Sequence, residues 1–147
     1  MKKAIIYILI TFSLSGLLTG CKKNNGNYVV INKTKVYVEI ASHPDSQYQG
    51  LSDREKICSD CGMLFVFDKS LPKTFVMRRM KFPLDIIWIN NDKIIKIDKN
   101  LPPEGETPTY KYDSNGIVDK VLEVNAGISD KYEFKIGDSI KYFYGQN

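Results

Sequence analysis

Beyond residue 20 this chain holds no helical repeat for more than a turn or two, while apolar residues alternate over roughly four to eight positions between turn-forming residues. Such segments are strands. A layered arrangement of parallel strands and helices needs crossover helices of about ten or more residues, and none is present in the pattern. The expectation is therefore a mainly β chain: a single compact β-barrel or sandwich-like domain with one or two short helices. Ten Gly, six Pro and 12% aromatic residues suit strands joined by tight turns.

The segments can be placed one by one. Val36, Val38 and Ile40 share one face against Lys35, Tyr37 and Glu39, and the pattern predicts a hairpin from Tyr28–Ile31 to Lys35–Ile40 across Asn32-Lys33-Thr34. His43-Pro44-Asp45 opens a short helix that Gly50 closes. The apolar run Met63 to Phe67 is expected to pair with Thr74 to Met77, and Leu84 to Ile89 with Lys93 to Ile97 across Asn90-Asn91-Asp92. Asn100 to Asn115, with Pro102, Pro103, Pro108 and Gly105, reads as a long surface loop. Val121 to Val124 reads as a strand and Ala126 to Tyr132 as a short helix. Gly137-Asp138 reads as the turn of a last hairpin, joining Glu133–Ile136 to Ser139–Tyr144.

The amino-terminal residues describe a destination. Met1-Lys2-Lys3 is cationic, Ala4 to Leu18 is an apolar run of roughly 15 residues, and Leu18-Thr19-Gly20-Cys21 is similar to a bacterial lipobox. As a helix the run spans about 22 Å, short of a ~30 Å hydrocarbon core, which favours a cleaved leader over a permanent anchor. The organisation expected is a lipoprotein signal peptide at 1–20, a lipidated Cys21 with a polar tether and first strand at 21–34, and a β-rich domain at 35–147. Acyl chains on Cys21, with Lys22 and Lys23 beside anionic lipid, would hold the chain to the bilayer in the cell envelope, facing away from the cytoplasm. The formal charge is +4 and falls to about +2 without Lys2 and Lys3, too little to suggest nucleic acid as a partner.

Few residues carry chemistry. With Cys21 lipidated, Cys58 and Cys61 are the remaining thiols, and in an exported domain they are expected to form a structural disulfide. A redox pair is the alternative, disfavoured by Asp60 between the thiols, since a neighbouring negative charge opposes thiolate formation. Metal and cofactor are not expected: His43 is the chain's one histidine, and tetrahedral zinc needs four N or S ligands. Asp85 and Glu123 stand inside apolar strands, facing either water or a buried partner such as Arg54, Arg78 or Arg79. The site expectation is that Arg54, Asp85, Glu123 and Asn125 line one polar ligand site, no residue being assigned as catalytic.

Several ordered stretches carry a resemblance. Gln49-Gly50-Leu51 with Arg54, Gly62-Met63-Leu64-Phe65-Val66-Phe67, Phe75-Val76-Met77-Arg78, Phe82-Pro83-Leu84-Asp85, Val121-Leu122-Glu123-Val124-Asn125-Ala126-Gly127 and Gly137-Asp138 together resemble the bacterial and archaeal family catalogued as domain of unknown function 192. That family commonly has Trp where Val76 stands. The resemblance implies a predominantly β, compact and often exported protein, and implies no activity. The function expected is a membrane-anchored envelope lipoprotein acting as a non-catalytic module for a small ligand or an envelope protein. The alternatives are a thiol-disulfide protein using Cys58 and Cys61 and a hydrolase using Asp85 and Glu123.

Overall fold

The computed structural model describes residues 26–145. The expected leader, Cys21 and the lysines after it lie outside the described residues. Nine strands and two short helices follow one another as β1 (Tyr28–Ile31), β2 (Thr34–Ala41), α1 (Pro44–Gln49), β3 (Cys61–Leu71), β4 (Thr74–Phe75), β5 (Leu84–Asn90), β6 (Lys93–Leu101), β7 (Tyr112–Asp113), β8 (Val118–Asn125), α2 (Ile128–Lys131) and β9 (Ile140–Phe143). Among the described residues no helix is long and apolar enough to cross a membrane.

Seven strands make one sheet in the order β6-β5-β8-β3-β2-β1-β9, and it curls into a half-barrel. Its two edges meet at one end, where Lys93 bridges to Ser139 and the Ile94 amide donates to the Asp138 carbonyl at 3.0 Å. The β1–β2 and β5–β6 hairpins match the alternation in the sequence. β2 and β3 run parallel, joined by the crossover that contains α1.

Two pairings differ from expectation. Thr74–Phe75 does not return along β3 but pairs with Tyr112–Asp113, in what the sequence shows as a featureless loop. β3 instead takes β8 as its antiparallel neighbour. Glu133–Ile136 forms no strand, and β9 completes the sheet by pairing with β1.

The apolar side chains fall into two clusters on opposite faces of the sheet. Inside the curl lie residues from nearly every strand, among them Val29, Val38, Leu64, Ile87, Leu122 and Ile140, closed off by Ile128 and Phe134. The outer face of β3, β5 and β8 carries Phe65, Ile86, Trp88 and Val121. Leu51, Met77 and Met80, from the segments around 50 and 80, cover it. Burying this second layer is what folds those two segments over the sheet, since each large apolar side chain removed from water contributes about 1.5–3 kcal/mol.

Candidate functional site

Glu123 stands on the outer face. In the sheet it is flanked by Met63 of β3 and Ile86 of β5, both buried, so it leaves water with its strand. Gly62 makes the close strand pairing possible here, because a Cβ at that position would lie 2.4 Å from the Glu123 carbonyl oxygen. Glu123 is 5% exposed, and among the described residues no hydrogen bond reaches its carboxyl. Desolvation pushes its pKa up to about 8, against a smaller opposing pull from the Arg54 guanidinium. A carboxyl so placed is mostly neutral at pH 7 and can donate as well as accept a hydrogen bond.

Above it lies a cavity of about 230 Å³. Gly50, Leu51, Phe65, Phe75 and Met80 supply apolar wall, Tyr48 and Arg78 a polar margin, and Glu123 reaches it from the sheet. The walls are sewn together by backbone and side-chain bonds. The Ser52 hydroxyl donates to the Arg78 carbonyl at 2.8 Å, and the Asp53 amide to the Arg79 carbonyl at 2.9 Å. The Gln47 amide group reaches the Val66 carbonyl at 2.8 Å. Gly50, at φ 51°, closes α1 in a conformation that disfavours L side chains, and there it packs against Phe65. Phe65 and Phe75 meet edge to face, and the Arg78 guanidinium lies 3.9 Å above the Tyr48 ring while donating to the Tyr48 carbonyl.

The residues expected to share one polar site divide between the two faces. Asp85 pairs with Val124 and Ile86 with Glu123, so the two carboxylates alternate to opposite sides of the sheet. Neither faces water. Asp85 is fully buried and accepts three backbone N–H groups, from Asn100 at 2.9 Å, Gly127 at 3.2 Å and Ser129 at 2.9 Å. It pins the β6 end and the start of α2 rather than lining the cavity. Hydrolysis by Asp85 and Glu123 acting together is excluded by this placement, because paired carboxylates must flank the same bond.

Arg54 and Asn125 do share the Glu123 face, each engaged elsewhere. Arg54 forms a two-pronged pair with Glu39, at 2.6 and 2.9 Å. Asn125 donates to the Cys58 carbonyl at 2.9 Å. Arg79 pairs with Asp53 at 2.9 Å, so none of the three arginines forms an ion pair with Asp85 or Glu123. The residues that do surround Glu123, from Tyr48 to Leu51 and from Phe75 to Met80, have no motif of chemistry. Their one signal in the sequence is that Gln49-Gly50-Leu51 and Phe75-Val76-Met77-Arg78 are among the stretches carrying the family resemblance.

Cys58 and Cys61 are joined as a disulfide, with Cα atoms 5.0 Å apart, at the entry to β3. Closing so short a loop constrains the unfolded chain by about 2 kcal/mol. A Cys58→Ser, Cys61→Ser double variant is accordingly expected to lose about that much stability in urea unfolding; a loss near zero would show that the Asn125 contact alone holds this turn. His43 caps α1 at the surface, where its amide donates to the Ser46 hydroxyl at 3.2 Å.

Comparison with known proteins agrees with the fold. A protein of Sinorhizobium meliloti 1021, described as a proposed transcription regulator, is 31% identical; the match covers 80% of this chain and 92% of that one, with a TM-score of 0.72. A protein of unknown function from Novosphingobium aromaticivorans DSM 12444 is 30% identical over 78% of this chain and 83% of its own, with a TM-score of 0.70. No match is found among curated proteins. The model of domain of unknown function 192, described as an uncharacterized ACR, matches residues 28–142, and the chain belongs to that family.

Proposed function

We propose that this protein is a membrane-tethered lipoprotein whose β domain binds a small ligand, without catalysis, in the cavity over Glu123. The observation that carries the binding reading is an open cavity whose wall holds two unengaged polar groups among the described residues: the Glu123 carboxyl, which accepts no hydrogen bond, and the Arg78 Nε, which is buried without a partner. An unpartnered buried polar group costs roughly 1–3 kcal/mol, so its retention there fits a group completed by something that enters. Residues from four of the stretches that carry the family resemblance line the same cavity. Tethering rests on the lipobox-like Leu18 to Cys21 and the two lysines that follow.

Both parts can be tested on the full chain. Amide chemical shifts recorded while a library of small aromatic and aliphatic molecules is added are expected to move at Tyr48 to Ser52, Thr74 to Val76 and Glu123. Hits confined to other surfaces, or no hits, would overturn the cavity reading. For the tether, mass spectrometry of the mature amino terminus should show an acylated Cys21, and Cys21→Ala should release the domain from membranes. An unmodified terminus downstream of Cys21 would remove the lipoprotein half of the proposal.

A further inference from the structure

Among the described residues Glu123 has no ion-pair partner of its own. Arg54 is the charged group that acts on it, yet both terminal nitrogens of Arg54 are held by Glu39 on β2. Its neighbours in the sheet, Met63 and Ile86, are apolar. Asp85 faces the other side. Arg78, on the cavity wall, has its guanidinium spread over the Tyr48 ring and one terminal nitrogen bonded to the Tyr48 carbonyl, while its Nε is buried without a partner among the described residues. The carboxyl therefore has two oxygens to satisfy and an open, largely apolar-walled cavity in front of it.

From this arrangement, and resting on the cavity reading above, we propose that the ligand is a small amine, bound with its ammonium group on the Glu123 carboxylate and its apolar body between Phe65, Phe75 and Met80. An ammonium has three donors and can serve both carboxylate oxygens, whereas a ligand that only accepts would use the carboxyl hydrogen and leave the second oxygen unpaired. Phe65 and Phe75 add ring surface, which packs an apolar body and tolerates a nearby cation. The volume, about 230 Å³, suits a molecule the size of an aralkyl amine.

The protonation balance of this step is explicit. In the empty cavity Glu123 is mostly the neutral acid at pH 7. Binding joins that acid and an ammonium ion into a carboxylate–ammonium pair, and the carboxyl proton passes to the buffer. Affinity should thus climb about tenfold per pH unit below pH 8 and level off above it, with nearly one proton released per ligand at pH 7. A neutral ligand of the same shape releases none.

Benzylamine and benzyl alcohol are the probes, titrated into the full chain by calorimetry at pH 6, 7 and 8 in buffers of different ionisation enthalpy, with cavity occupancy followed by amide shifts at Phe65 and Phe75. The expected result is proton release and pH-dependent binding for benzylamine alone, with at least tenfold weaker benzylamine binding in Glu123→Gln. That variant retains the shape and a hydrogen-bonding group. Equal binding of both probes in the cavity, unaffected by Glu123→Gln, would overturn the amine assignment while leaving the cavity a binding site. Binding of benzyl alcohol alone would do the same. Absence of binding by either probe, with no shifts at the cavity, would overturn both the amine assignment and the cavity reading for ligands of this size.

Discussion

Raising the pH from 5 to 7.5 is expected to lower the stability of the ligand-free domain on the order of 3 kcal/mol through Glu123 alone, at about 1.4 kcal/mol per pH unit. The sign follows from the two states. Burial lifts the carboxyl from an ordinary 4.5 to about 8 in the folded protein, so between those values the folded state holds a proton that the unfolded state has released. The unfolded state then binds fewer protons, and stability falls as pH rises until the folded group also ionises near 8. Other groups contribute their own slopes, so the useful quantity is the difference between the parent and Glu123→Gln. In urea unfolding followed by circular dichroism, the variant should match the parent within about 1 kcal/mol near pH ~3.5, where Glu123 is mostly neutral in both states. It should exceed the parent progressively up to pH 8. A difference that stays constant across this range would mean that the carboxyl is not held in its neutral form.

How much of this was legible in the sequence depends on whether one segment or several had to be read together. The alternation of Val36, Val38 and Ile40 and the Asn90-Asn91-Asp92 turn each specify a local hairpin, and β1–β2 and β5–β6 form as expected. Thr74 to Met77 has the same local character as a strand beside β3, but its partner lies some forty residues on, in the loop from Asn100 to Asn115. No local signal reports a pairing of that range. The carboxylates illustrate the same limit. Asp85 and Glu123 each interrupt an apolar strand, which made them visible, but their relative orientation depends on the register between β5 and β8. A one-residue shift of that register would have placed both on one face. Likewise the Arg54 guanidinium exerts its charge on Glu123, while its bidentate partner, Glu39, sits on a strand whose proximity only the parallel β2–β3 pairing creates. The cavity itself is built from loop segments around 50 and 77, which carry family resemblance without periodicity, as binding loops on a rigid sheet commonly do.

Asp85 should prove a structural residue of large effect and no binding role. Its two oxygens accept the amides of Asn100, Gly127 and Ser129, joining the end of β6 to the turn before α2 from the middle of a buried strand. Replacement by Ala leaves three donors without their acceptor, and at roughly 1–3 kcal/mol each, softened by local relaxation, the loss should be about 4 kcal/mol. Asp85→Asn keeps one acceptor oxygen but presents an N–H group toward a donor, so a smaller loss of about 2 kcal/mol is expected. Hydrogen exchange supplies the specific readout, because the Asn100, Gly127 and Ser129 amides should lose protection in both variants beyond the global change. Since Asp85 faces the interior of the curl and Glu123 the outer cavity, any variant that remains folded should bind cavity ligands as the parent does. A loss below about 1 kcal/mol with those three amides still protected would refute the pinning role. A selective loss of cavity binding in folded Asp85→Asn would show that the two faces are coupled through the β5–β8 backbone, which they share.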